Sequence, residues 1–296
     1  MEYIDYIENE YIRIVVNAHG AEMCSLVKNS GIKEMLWHGD PMWWKRHSPV
    51  LFPIVGSLWE GTMRQNGKEY HMGQHGFARD MDFELIESTR NSLRYRLTSN
   101  EETLAKFPWN FVLEIGYVLD GSSVKVQWTV KNTDESDIFF QIGAHPAFFM
   151  YGFDGKADIA GYMQFEPAND NYTLSLLGEK GCVSGSHTQL DCPNGMVAIT
   201  KQLFSIDTVM VEHTPMTSVT LLDKDKNPYL RLTHSAPVIG IWSPVKKDSL
   251  APFICIEPWY GRCDRQGYQG EFCDKDWANH LIPGQVFNAE YRIDIL

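Results

Sequence analysis

The chain has 296 residues, with 38 acidic against 26 basic side chains and a pI near 5.3, and no run of Lys or Arg exceeds two residues. That balance lacks the basic stripe a nucleic-acid partner requires, and no apolar stretch approaches the length of a membrane span. An acidic start unlike a signal peptide, and six cysteines without Cys-x-x-Cys spacing, lead us to expect a cytoplasmic protein with no cysteine-based zinc site.

Alternating or short apolar runs between turn residues recur along the chain and predict strands at 11–16, 92–97, 111–119, 123–130, 138–142, 218–222, 229–233 and 286–295. Ser99 with Glu102 has capping-box spacing, Leu104 and Phe107 give an apolar side, and Pro108 ends the one short helix expected. Asp120-Gly121-Ser122 reads as a tight hairpin turn, because Gly tolerates the positive φ such turns demand. The segments 133–136 and 223–227 read as longer hairpin loops, and the Gly-rich stretch 150–161 as a loop. A long chain of strands without repeats or a linker is expected to form one domain, 1–296, as a sandwich or barrel around a shared core.

Polar motifs fall where strands are expected to end. In Gln74-His75-Gly76-Phe77-Ala78-Arg79, the glycines at 73 and 76 make a helical metal pair of His71 with His75 improbable. Either a plain surface turn or a bend presenting His75 and the donor fork of Arg79 to a ligand fits. In Ile142-Gly143-Ala144-His145-Pro146, small residues let a ligand approach the backbone, although a core imidazole fits the same pattern. In Phe253-Ile254-Cys255-Ile256-Glu257-Pro258-Trp259, a carboxylate closes an apolar run. Burying that charge is costly unless it is paired or opens onto a polar cleft. A carboxylate beside a flat indole suits acid/base chemistry on a sugar; a solvated Glu beside a core Trp is the plainer alternative.

These motifs, together with Arg46-His47-Ser48-Pro49 running on to Gly56 and Ile239-Gly240-Ile241-Trp242, resemble the aldose 1-epimerase (galactose mutarotase) superfamily across essentially the whole chain. The nearest resemblance is to its LacX-like subgroup. It implies a large antiparallel β-sandwich of the galactose mutarotase type with a few short helices and a sugar cleft on one sheet. It also implies that Glu257 takes the anomeric proton, that His145 protonates the ring oxygen, and that His75 hydrogen-bonds near that oxygen. Arg46 matches a hydroxyl-binding Arg and Asp207 a substrate-binding Asp. Gln74 and Ala144 replace the Asn that precedes each catalytic His in the classical enzymes, a departure that bears on whether galactose is the substrate.

The chemistry needs one acid and one base, and neither metal nor organic cofactor. A carboxylate near His145 is expected to raise its pKa against the effect of burial. Trp242 and Trp259 are candidates to line the cleft, with plain core packing as the alternative. Three alternatives accompany this expectation. A hexose-6-phosphate epimerase would need a clamp from Arg46, Arg79 and Lys45. A non-catalytic sugar-binding protein would need only the aromatics. A metal-dependent isomerase would use His75, His145 and Glu257 as ligands.

Overall fold

The computed structural model describes residues 4–296. Its frame is an antiparallel nine-stranded sheet whose middle is formed by Pro228–His234, Val286–Ile295, Ser123–Asn132 and Phe111–Asp120. Alternation explains why these segments are strands with one buried face. Phe111, Leu113, Ile115, Tyr117 and Leu119 are buried, as are the cross-strand Val124, Val126, Trp128 and Val130.

A six-stranded sheet packs on that face. It runs Val209–Glu212, Val238–Trp242, Phe253–Tyr260, Ile142–Ala144 and Val50–Leu51, with Ala147–Phe149 also paired to Phe253–Tyr260. Ile142, Val209, Ile239, Ile241, Ile254 and Ile256 share one continuous core with Trp128, Phe165, Leu232 and Tyr291 of the larger sheet. This is the β-sandwich that the resemblance implied. A four-stranded sheet starting at Ile4–Glu8 adds Ile12, Ile14, Val16, Met23 and Leu26 to the same core.

Several local expectations need correction. Helix Glu101–Leu104 is capped by Asn100, whose side chain accepts from the Thr103 N–H, and not by Ser99. Ser99 instead accepts from the Phe111 N–H, which ties the helix to the next strand. The run 138–142 is two strands, Ile138–Phe140 and Ile142–Ala144, which join different sheets on either side of Gln141. Segment 133–136 is therefore a connection between sheets rather than a hairpin loop. Segment 223–227 does close a hairpin, and Gly121 turns the predicted tight one with φ of 59°. The 150–161 stretch is already strand from Ile159.

Candidate active site

The face of the six-stranded sheet turned away from the main core carries the odd-numbered side chains of Phe253–Tyr260. Ile254 and Ile256 enter the main core, whereas Phe253, Cys255 and Trp259 pack on the opposite side, in separate clusters. Glu257 shares that opposite side. It does not close the strand, as the sequence suggested, but sits in mid-strand, with pairing that continues to Tyr260.

The neighbouring strand explains how His145 meets it. Gly143 pairs with Trp259 and Ala147 pairs with Cys255, so the interrupted stretch between them keeps one register. That register sets His145 directly across from Glu257, in the cross-strand position where side chains touch. Pro146, without an N–H, breaks the ladder at that point. His145 Nε2 lies 3.2 Å from Glu257 Oε2.

His75 arrives from a loop held against residues 52–56. Its backbone N–H donates to Gly56 O at 2.8 Å, and the Gly56 N–H donates to His75 Nδ1 at 3.0 Å. The neutral ring therefore carries its proton on Nε2. His75 and Gly76 are both left-handed, with φ of 67° and 72°. At Gly76 a Cβ would fall 2.3 Å from Phe52 O, so that position needs glycine for space as well as for φ. His71 is bonded to Thr62 elsewhere, as the rejection of a helical His pair anticipated.

These groups open onto one cavity of about 390 Å³, within the ~300–1,000 Å³ range of small-molecule sites. Its walls include His75, Arg79, His145, Asp207 and Glu257. The indoles of Trp44, Trp242 and Trp259 also contribute. Asp207 holds an uncommon backbone conformation, φ 69° and ψ −93°, with its carboxylate accepting from Thr208 Oγ1 at 3.0 Å. Trp259 is only 6% exposed, so most of its indole is packed against the sheet.

Arg46 is not on the cavity wall. It donates to Asp80 Oδ1 at 2.8 Å and to Arg79 O, and so braces the segment that presents Arg79. Lys45 is exposed and off the wall. Arg79 donates to Gln74 O at 2.7 Å. Of the two departures from the classical motifs, Gln74 lines the cavity and Ala144 is buried in the main core.

Sequence reasoning missed Trp44, Thr208 and Met210 on the wall. Thr208 and Met210 carried no distinctive signal. Trp44 did, because two adjacent Trp following Asp40-Pro41-Met42 in a turn segment is an unusual placement for so much apolar surface.

The electrostatics run against one expectation. The imidazole of His145 is pushed down to about 3, by burial first and by the Arg79 and Arg46 charges, rather than raised by its carboxylate neighbour. Burial, reinforced by Asp207, pushes Glu257 well above the usual carboxylate range. Burial also holds His75 well below the ordinary imidazole value, with His145, Arg79 and Arg46 adding to the effect. Burial thus disfavours the charged form of each group, which favours a protonated carboxyl beside a neutral imidazole.

Among the described residues, eight buried side-chain polar atoms have no partner, and Arg79 Nε, His145 Nδ1, Glu257 Oε2 and Trp259 Nε1 are four of them. Unmet buried groups cost about 1–3 kcal/mol each, and their clustering in residues that line one cavity marks a site set up for a polar ligand rather than for packing. Donor atoms of His145, Cys255 and Glu257 lie within 4.8 Å of one another. The trio expected for a metal-dependent isomerase, with His75 in place of Cys255, is not the one that gathers. A metal on the observed trio would also occupy the lone pairs that proton transfer requires.

A family model described as aldose 1-epimerase matches residues 6–294. The chain belongs to the aldose 1-epimerase family. It is 28% identical to Protein LacX (plasmid) of Lactococcus lactis subsp. lactis over 98% of both chains. Among solved structures it is similar to a galactose mutarotase related enzyme from Lactobacillus acidophilus, at 32% identity and a TM-score of 0.91, covering 100% of this chain and 97% of the other. It is likewise similar to a galactose mutarotase-like protein from Lactobacillus casei ATCC 334, at 30% identity and a TM-score of 0.92, covering 99% and 100%. An aldose epimerase of this family acts on a sugar, which suits a cavity with three indoles and several unpaired polar atoms.

Proposed function

We propose that this chain interconverts the α and β anomers of a free hexose by acid/base ring opening and closing. The observation that carries the proposal is the cross-strand contact of Glu257 with His145 at 3.2 Å inside the cavity. The two oxygens that must exchange protons, O1 and the ring oxygen, are both bonded to C1, so their acid and base must be neighbours.

In the active tautomer the shared proton sits on His145. Glu257 takes the O1 proton while His145 protonates the ring oxygen, and the C1–O bond of the ring opens to the aldehyde. Rotation about C1–C2 presents the other carbonyl face. The ring hydroxyl then attacks, returning its proton to His145, and Glu257 gives its proton to the new O1. His75 donates from Nε2 toward the ring oxygen, and Arg79 and Asp207 bind hydroxyls. Arg46 acts through Arg79. The indoles of Trp242 and Trp259 face the sugar ring.

Keeping both acid and base sets the chain apart from a non-catalytic sugar binder. Of the arginines a phosphate clamp would use, Arg79 alone lines the cavity, which favours a free sugar over a hexose 6-phosphate. We further propose that residues 1–296 work as one unit, since the wall draws on positions from Trp44 to Cys263. Cytoplasmic residence fits six cysteines that are all unpaired. Among the described residues no helix is long and apolar enough to cross a membrane.

The test is anomer exchange, followed by NMR on anomerically pure hexoses and hexose phosphates. Glu257→Gln and His145→Asn should each lower kcat by about 10²–10⁴-fold. Full activity in either variant removes that residue from its role. Exchange restricted to phosphorylated sugars overturns the choice of substrate.

A further inference from the structure

His75 is oriented by a hydrogen bond at its second ring nitrogen, whereas His145 has none. Its Nδ1 is buried without a partner, and its contact with Glu257 is not aligned as a hydrogen bond, since Glu257 Oε2 also remains unpartnered. An acid catalyst needs a fixed ring, and the usual device is a carbonyl or carboxylate behind the second nitrogen. Here aromatic surfaces surround the ring instead. The Trp44 indole stacks on it at 4.7 Å between centroids and 27° between planes. Trp242 and His75 meet it edge-on at 5.7 and 5.6 Å.

Trp44 is itself held firmly. Its carbonyl accepts from Trp37 Nε1 at 2.8 Å, and its N–H donates to Asp40 O at 2.9 Å. Lys246 Nζ donates to Met42 O and Trp43 O at 2.9 and 2.7 Å, fastening the Trp44 turn to the short strand Val245–Lys246. Phe253 backs the indole at 6.0 Å.

We infer that Trp44 is a positioning residue for His145, whose indole face both orients the imidazole and stabilises the imidazolium that protonates the sugar ring oxygen. The charged and titratable groups around His145 are Glu257, His75, Arg79, Arg46 and the Cys255 thiol, which burial keeps in its neutral form. Both arginines oppose the imidazolium, and neutral His75 does not offset them. The electron-rich indole face favours it, by the attraction of a cation to an aromatic quadrupole. The inference rests on the epimerase function proposed above, because only an acid role for His145 requires its charged form.

The test compares the full-length protein with Trp44→Phe and Trp44→Leu. If the imidazolium is a minor tautomer that Trp44 stabilises, Trp44→Leu lowers kcat by about 3–30-fold with a smaller change in KM, and Trp44→Phe restores much of the loss. In the Glu257→Gln background, where the imidazole titrates without a proton-sharing partner, ring ¹⁵N shifts should place the His145 pKa roughly 0.5–1.5 units lower with Leu than with Trp. A loss confined to KM, with His145 titrating unchanged, makes Trp44 a sugar platform only and overturns the inference. The titration needs no turnover. A protein that titrates as expected yet exchanges no anomers would therefore strike the epimerase function and leave the stacking role standing. Should Trp44→Leu fail to fold, Trp44→Phe, which keeps a planar stack with a weaker quadrupole, carries the same comparison at reduced amplitude.

Discussion

Gly240→Ala isolates the steric fit that holds the wall beside Glu257. Gly240 pairs with Glu257 across the sheet, and the Trp259 indole lies over it. A Cβ at position 240 would fall 2.4 Å from Trp259 Cη2, 2.6 Å from Cζ2 and 3.0 Å from Cζ3. Reaching ordinary contact distance requires that end of the ring to rise by about 1 Å. It has no free way to slide along the sheet, since its other end rests on Gly143, where a Cβ would lie 2.6 Å from Cδ1. The φ of Gly240 is not in the left-handed region, so the cost is steric overpacking alone, about 1–3 kcal/mol. That should lower the urea midpoint with an unchanged m-value and reduce Tm by roughly 2–12 °C. A ring lifted into the cavity should also reduce kcat/KM. Trp259→Phe withdraws the three clashing atoms, so Gly240→Ala in that background should cost less than about 0.5 kcal/mol. The double-mutant cycle should then show a coupling of about 1–2 kcal/mol. Additive losses would refute the claim that the indole needs a bare backbone at position 240.

Three further outcomes follow from the same geometry. Because Glu257 is raised and His145 is lowered to about 3, the pair keeps one proton across neutral pH. The kcat/KM profile should accordingly be flat through the ordinary imidazole range, falling on the alkaline side as the pair loses its proton and in strong acid as it gains a second; an inflection near pH 6.5 would show that His145 titrates alone. Asp207→Asn removes a charge that raises Glu257, so the alkaline limb should move toward lower pH; no movement would mean the Asp207 charge does not reach the pair. His234 is buried with both ring nitrogens unpartnered and its pKa lowered to about 4. Between the unfolded value of about 6.5 and that folded value, the unfolded chain binds the proton and the folded one does not. Stability therefore falls as pH drops through this window, by about 3 kcal/mol in all, and His234→Leu should remove that loss in acid denaturant titrations without destabilising the neutral protein.

The sheet core was legible because burial on one face writes a period of two into 111–119, 123–130 and 286–295, and Gly121 marked its turn. What failed was assigning strands to sheets. Nothing in 138–142 tells that Gln141 separates residues bound for two sheets, since pairing partners come from Tyr260 and Leu281, more than a hundred positions away. The same non-locality hid why Glu257 and His145 meet. Each was recognisable as a chemically apt residue in an odd place, but their adjacency is a property of register. The charge expectation failed for a related reason. Sequence shows a carboxylate and an imidazole, but not that each is buried or that Arg79 stands beside the imidazole. Arg46 was placed on the sugar because an Arg in a motif looks like a ligand clamp, whereas Asp80, which occupies it, lies 34 positions further on. Trp44 was passed over because a Trp reads as core until its neighbour is known.

Under the proposed mechanism, burial of the Glu257–His145 pair is an asset, because mutarotation is proton-neutral from sugar to sugar. Glu257, with a side chain 1% exposed, and His145, at 9%, could hardly exchange protons with bulk water on every turnover. They do not need to. A carboxyl with a neutral imidazole and a carboxylate with an imidazolium hold the same proton, and the 3.2 Å separation lets it pass between them once the two groups align. Without sugar, burial favours the uncharged form, which spares the site the several kcal/mol of burying two ions. Under the proposed mechanism, sugar hydroxyls arriving at the unpartnered Glu257 Oε2 supply hydrogen bonds that the charged form lacks. In that mechanism the binding event that delivers O1 to Glu257 also favours the tautomer able to deprotonate it, and each completed ring closure returns the pair to its starting proton count. An exposed pair would hold the charged form at rest but would surrender the strengthened electrostatics of a closed cavity.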